Sequence, residues 1–160
     1  MRVALGSDER SHLTDFVEQE LRRRGFEVEL FGPLRPESGL SPAWPDVARD
    51  VAQRVAAGRA DEGILLCWTG TGVSIAANKV PGVRAALCAD AETARGAKAW
   101  NQANVLCMSL RLTTEILARE ILEAWFSAGA DPGEAENVAK VNTLDERYRK
   151  AGAAVQGEGR

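Results

Sequence analysis

A cysteine ends an apolar run in this 160-residue chain, and a Thr-Gly-Thr-Gly turn follows it at once. The stretch reads Ile64-Leu65-Leu66-Cys67-Trp68-Thr69-Gly70-Thr71-Gly72-Val73-Ser74-Ile75-Ala76-Ala77-Asn78-Lys79. A glycine-rich turn that opens a helix aims backbone N–H groups at an anion, and the helix dipole adds to the attraction. A thiolate beside those amides can move a proton while the amides hold the oxyanion that forms. A cysteine at a strand end is otherwise a small buried hydrophobe. Cys88 and Cys107 keep that plain reading, whereas the Thr-Gly-Thr-Gly context sets Cys67 apart. Asp8, just after the first apolar run, reads either as a helix N-cap or as an acid–base group. His12 reads as a surface helix histidine.

The elements that must hold this stretch follow from periodicity. Residues 2–7 form a short apolar strand, and Ser11 caps a helix whose apolar positions are Leu13, Phe16, Val17 and Leu21, with Gly25 as its stop. Glu27–Phe31 alternates polar and apolar, as an edge strand does. Residues 32–41 are a loop, Pro45 fits a first helical turn, and Val47, Ala48, Val51, Ala52 and Val55 make a stripe ending at Gly58. After the cysteine stretch, Pro81-Gly82 is a turn and Val83–Cys88 reads as another buried strand. Asp90 caps a helix through Ala99, and Asn104–Met108 is a fifth strand. Thr113 or Thr114 caps a helix that buries Ile116, Leu117, Ile121, Leu122 and Trp125. Asp131-Pro132-Gly133 breaks it, and a last helix runs from about Glu134 to Lys150. Strands alternating with helices imply βαβ units with right-handed crossovers. The expected fold is therefore α/β, a Rossmann-like three-layer αβα sandwich with a five-stranded parallel sheet, as one domain over 1–150 and a flexible tail over 151–160. Ligands of such sheets bind at the carboxyl ends of the strands.

Composition narrows the function. A hydrophobic content of 45% and a charged content of 27% are those of an ordinary globular domain. A net charge of −3 with no basic block speaks against nucleic acid, and no apolar run is long enough to span a membrane. Three cysteines in apolar runs and no signal-like leader suit reduced thiols in a cytoplasmic protein. One histidine excludes a multi-histidine metal site, and no GxGxxG follows the first strand, so neither a metal nor a dinucleotide cofactor is expected.

Several stretches together resemble the ribose-5-phosphate isomerase B and galactose-6-phosphate isomerase family. They are Gly6-Ser7-Asp8, Trp44-Pro45-Asp46, the run from Cys67 to Lys79, Gly82-Val83-Arg84-Ala85-Ala86, Asn101 with Asn104-Val105-Leu106, and Arg111. The similarity spans roughly residues 2–145. It implies a homodimer, or a dimer of dimers, with metal-free sites at the subunit interface, binding a sugar or sugar phosphate. The implied reaction interconverts an aldose and a ketose through a cis-enediol. By the resemblance, Cys67 is the base, and Thr69 and Asp8 shuttle protons on the substrate oxygens. The amides of Gly70, Thr71, Gly72 and Val73 form the anion hole, and Asn101 bonds a sugar hydroxyl.

The chain departs from the family within the site itself. Where the family reads Asp-His after the first strand, this chain has Asp8-Glu9; one galactose-6-phosphate isomerase subunit has a glutamate there but lacks the cysteine. Trp100 replaces the histidine assigned to opening the cyclic sugar, Trp68 replaces a loop glycine, and Trp44 replaces a tyrosine. Three of the four tryptophans thus fall at positions that line the family pocket. The cationic cluster that grips phosphate in the last helix has become Glu136, Asn137 and Lys140, while Arg111 survives. An arginine lost from a dianion removes a strong charge-assisted contact. The expected activity is enediol chemistry on a changed substrate, a short sugar that cyclises poorly, such as a tetrose derivative, or an unphosphorylated sugar. A different class of reading is a non-catalytic sugar-binding or partner subunit, which would have no need of the cysteine. Hydrogen exchange at the substrate α-carbon, with Cys67→Ala as the control, separates the two.

Overall fold

In the computed structural model, which describes residues 1–35, 39 and 41–157 with side chains to residue 148, two apolar strands lie side by side at the centre of the sheet. They are β1 (Arg2–Ser7) and β3 (Glu62–Cys67). β2 (Glu27–Phe31) lies outside β1, and β5 (Val105–Ser109) and then β4 (Ala85–Leu87) lie beyond β3. Every neighbouring pair is parallel. Parallel strands need crossovers, and the helices supply them on both faces. α1 (His12–Arg23), α4 (Ala91–Asn101) and α5 (Glu115–Ser127) bury one face around Val17, Leu21, Ile121, Leu122 and Trp125. α2 (Trp44–Ala56) and α3 (Thr71–Ala77) bury the other around Val47, Val51, Leu65 and Val73. The three-layer αβα sandwich is the fold expected from the sequence. Among the described residues no helix is long and apolar enough to cross a membrane.

Local signals place the helix starts. Ser11 accepts the Thr14 N–H at 3.3 Å, while the Thr14 hydroxyl accepts the Ser11 N–H at 2.8 Å, a reciprocal capping box. Asp90 accepts the Thr93 N–H at 2.7 Å, and Thr114 accepts the Leu117 N–H at 3.2 Å. His12 is the first residue of α1 and is exposed. The α2 stripe expected from the sequence is fully buried. Gly6 allows α2 to lie this close to β1, since a Cβ there would come within 2.8 Å of Val47 and Val51. That approach also seats Trp44, the first residue of α2, over the loop after β3.

Five expectations differ in the structure. The run Val83–Cys88 is not a buried strand: β4 is three residues long, at the sheet edge, with Leu87 38% exposed. Two asparagines shape it. Asn78 donates to the Ala85 carbonyl at 2.8 Å and accepts the Ala85 N–H at 2.9 Å, pairing the edge backbone without a further strand. Asn104 accepts the Arg84 N–H at 2.8 Å and donates to the Gly82 carbonyl at 3.0 Å. Ile116 is 69% exposed rather than buried, because one turn on from it stand the solvent-facing Arg119 and Glu120. α4 continues past Ala99 to Asn101 and closes at Gln102 in the left-handed region. The last helix, α6 (Ala135–Gly157), runs beyond residue 150 into the expected tail, where Ala151, Ala153 and Ala154 favour helix; residues 158–160 of that tail lie outside the described residues. The expected loop over 32–41 holds a short 3₁₀ turn, Gly32–Leu34, and its residues 36–38 and 40 also lie outside them.

Candidate active site

The carboxyl ends of β1, β3 and β5 carry one group of the expected residues. Cys67 is the last residue of β3, a free thiol only 5% exposed. Ser7 of β1 is in register with Leu66, so Asp8 follows Ser7 beside Cys67. Asp8 is half-buried, and its Oδ1 has no hydrogen-bond partner among the described residues. Burial, then the neighbouring charge of Glu9, pushes the Asp8 carboxyl above the ordinary carboxylate value. An orphaned, partly desolvated oxygen beside a cysteine is a group kept ready for an incoming polar ligand. Glu9 is exposed, and its N–H reaches the Ser7 hydroxyl at 3.3 Å.

The loop after Cys67 is held from several sides. Its turn closes through the Gly70 N–H to the Cys67 carbonyl at 3.2 Å. From the turn after β5, the Leu110 N–H donates to Cys67 O at 2.9 Å, and the Arg111 N–H to Trp68 O at 3.1 Å. Gly70, the N-cap of α3, has φ +75°, a conformation that favours glycine. The Trp44 ring lies over Gly72, where a Cβ would come within 3.1 Å of it. The Thr69 and Thr71 hydroxyls are hydrogen-bonded to each other at 2.6 Å, and either can donate.

One expected donor is corrected. The Gly70 amide is spent inside the turn on Cys67 O, so it does not face a ligand. Thr71, Gly72 and Val73 are the first three residues of α3, whose N–H groups have no acceptor within the helix and meet no side-chain cap. The Thr69 N–H likewise has no acceptor among the described residues. The amides on offer are therefore those of Thr69, Thr71, Gly72 and Val73.

The remaining expected residues lie elsewhere in the chain. Trp100, Asn101 and Asn137 line a groove of about 500 Å³ between β4 and α6, together with Arg84, Val138 and Val141. Trp100 folds back against Gly96, where a Cβ would come within 2.6 Å of its ring, and the Arg95 guanidinium lies 5.0 Å from the ring centroid. Lys140 is exposed on α6 and pairs with Glu136 at 2.9 Å. Trp68 is 60% exposed at the loop tip, and Arg111 is exposed beside it. Leu87 touches both regions: it lines a neighbouring groove with Trp100, and its side chain reaches Gly70.

Sequence reasoning missed two groups here. Ser109, in register with Cys67, is 6% exposed, and its hydroxyl donates to Trp68 O at 2.9 Å. Arg84 lines the groove while its guanidinium donates to neutral acceptors, Gln102 O at 2.9 Å and Asn142 Oδ1 at 3.2 Å. Arg84 lies within the Gly82-Val83-Arg84-Ala85-Ala86 motif, whereas nothing in the sequence marks Ser109. The other two cysteines do not suit proton transfer: burial holds the Cys88 thiol up to about 12, and raises that of Cys107 as well. No cluster of three or more His, Cys, Asp or Glu among the described residues could hold a metal ion.

A family model described as Ribose/Galactose Isomerase matches residues 3–144. The D-erythrulose-4-phosphate isomerase of Pectobacterium atrosepticum is 36% identical over 151 residues, covering 93% of this chain and 98% of that one. Ribose-5-phosphate isomerase B of Escherichia coli is 35% identical over 152 residues, covering 92% and 98%. Among solved structures, ribose-5-phosphate isomerase B of Clostridium thermocellum superposes with a TM-score of 0.84 at 36% identity, covering 92% of this chain and 99% of that one.

Proposed function

Because the chain belongs to the ribose/galactose isomerase family, we propose that it is an aldose–ketose isomerase with Cys67 as its base, acting on a four-carbon sugar that carries an anion on C4. The Cys67 thiolate takes a proton from the carbon beside the carbonyl. The C–H electron pair forms the enediol double bond, and the carbonyl oxygen takes up the charge. The free amides of Thr69, Thr71, Gly72 and Val73 suit that oxygen, as preorganised donors do best where charge develops. Asp8 and Thr69 move the proton between the two oxygens, and Cys67 returns its own to the adjacent carbon.

The observation that carries the choice of substrate is Trp100. It stands at the position of the family's ring-opening histidine, packed against Gly96 and with no group able to trade a proton. A sugar whose C4 hydroxyl is esterified cannot close a furanose onto C1, so its isomerisation needs no ring-opening step. The likeness to a relative named D-erythrulose-4-phosphate isomerase supports the same substrate class. Arg111 and Lys140 are the cations that would meet the C4 anion.

Two copies complete the site in this reading. Trp100, Asn101 and Asn137 sit in a groove apart from Cys67. α6 buries only Val138 among its described side chains and leaves Val141, Leu144 and Tyr148 exposed. A second chain would cover that face and bring its own Asn101 and α6 to Cys67, as a homodimer.

The test is a steady-state panel of D-erythrulose 4-phosphate, ribose 5-phosphate and the unphosphorylated tetroses, for wild type and Cys67→Ala. The tetrose phosphate should lead in kcat/KM by about a hundredfold or more, near 2.7 kcal/mol of transition-state preference, and Cys67→Ala should abolish turnover. Ribose 5-phosphate turned over as well as the tetrose phosphate, or an active Cys67→Ala chain, sinks the proposal.

A further inference from the structure

We propose that Ser109 is a positioning residue of this site, holding the Trp68–Thr69 peptide so that the Thr69 N–H faces the substrate oxygen; this rests on the isomerase reading above. The Ser109 hydroxyl is buried at the end of β5, directly across from Cys67. It donates to Trp68 O at 2.9 Å and accepts the Leu112 N–H at 3.2 Å, so both its proton and a lone pair are engaged. The Arg111 N–H reaches the same Trp68 carbonyl at 3.1 Å. Two donors on one carbonyl fix the plane of that peptide. In a trans peptide the C=O and the following N–H point in opposite directions. A Trp68 carbonyl pinned toward β5 therefore turns the Thr69 N–H away from β5 and out of the turn.

The rest of the loop does not supply this constraint. The Gly70 N–H and the Leu110 N–H act on the Cys67 carbonyl, one peptide earlier. Trp68 itself is 60% exposed, so its side chain does not anchor the loop. Without the Ser109 hydroxyl, the Trp68–Thr69 peptide keeps a single hydrogen bond and can swing about its flanking φ and ψ. The amide that swings is the one that replaces Gly70 in the anion hole.

The experiment compares wild type, Ser109→Ala and Ser109→Thr by steady-state kinetics on D-erythrulose 4-phosphate, with amide hydrogen exchange over residues 67–73 measured in parallel. Thr keeps the hydroxyl and tests rescue. Ser109→Ala should lower kcat by about tenfold to a hundredfold, less than for a hole donor removed outright because the amide is displaced and not lost, with KM changed by less than about threefold. Its loop amides should exchange faster by about tenfold, near 1.4 kcal/mol of lost local protection, and Ser109→Thr should restore both values. A Ser109→Ala enzyme with wild-type kcat, or a loss that falls on KM alone, overturns the proposal. If wild type turns over none of the sugars, the isomerase reading has failed, and exchange alone then decides on Ser109: faster exchange in Ser109→Ala upholds the positioning of the peptide, and unchanged exchange overturns it.

Discussion

Gly70→Ala tests how tightly the loop after Cys67 is set. Two separate costs apply. The first is conformational: Gly70 has φ +75°, and an L-residue held in that region costs about 1–2 kcal/mol. The second is steric: a Cβ at Gly70 would lie 2.5 Å from Leu87 Cδ1 and 3.0 Å from the Met108 carbonyl carbon and oxygen. The Leu87 methyl can turn aside. The Met108 backbone is inside β5 and cannot, so the loop must move, which adds about 1–3 kcal/mol of overpacking. The sum is about 2–5 kcal/mol for Gly70→Ala. Gly25 supplies the control, because its φ is +77° and nothing lies within 4 Å of its would-be Cβ. Gly25→Ala should therefore cost only the conformational part, about 1–2 kcal/mol. Urea unfolding of both variants at one fixed chain concentration reads the difference, since association would otherwise enter the midpoint. The same displacement of the loop should lower kcat by at least about tenfold in Gly70→Ala and leave it unchanged in Gly25→Ala. Equal destabilisation of the two variants, within about 0.5 kcal/mol, would refute the steric account and with it the claim that β5 and Leu87 fix the loop.

Asp8→Asn should stabilise the protein at neutral pH while lowering kcat, because burial raises the carboxyl and makes its charged form the costly one. The folded state then holds the proton more tightly than the unfolded state, so this penalty grows as pH rises above 3.8 and vanishes below it. Urea midpoints of wild type and Asp8→Asn should thus separate toward pH 7 and converge under acid; a gap that widens under acid would reverse the sign of the argument. Cys67→Ala and Asn101→Ala chains, each inactive alone, should regain about a quarter of wild-type activity when mixed and reassembled in equal amounts, since half the dimers are mixed and one of their two sites is intact. No recovery on mixing would place Cys67 and Asn101 of a working site in the same chain.

Much of the fold was legible because its signals are local. Ser11, Asp90 and Thr114 cap the helices that their sequences announce, and the α2 stripe lies on one buried face. β4 differs from its sequence pattern for a physical reason. An apolar run such as Val83–Cys88 looks the same at the middle of a sheet as at its edge. What marks it as an edge is that the Asn78 side chain, and not a further strand, pairs with the Ala85 backbone. Ile116 shows the related limit, since an apolar residue type does not reveal which side of a helix it occupies.

The candidate site divides along the same line. Cys67, Thr69, Thr71 and Gly72 were legible because they are contiguous, and contiguous residues carry their spacing with them. The direction of each peptide in the turn was not, so the Gly70 amide was expected where the Thr69 amide stands. Ser109 was hidden because its meaning depends on the β3–β5 register, which sets it opposite Cys67. That division also bears on how a substrate can change in such a fold. The residues proposed for proton transfer sit on the ends of β1, β3 and β5, and each is fixed by strand register or by backbone bonds. Trp100, Asn137 and Lys140 sit on the helices α4 and α6, where a new side chain alters the groove without moving a strand. Side chains on α4 and α6 are thus free to vary without disturbing the strand ends that carry Asp8 and Cys67.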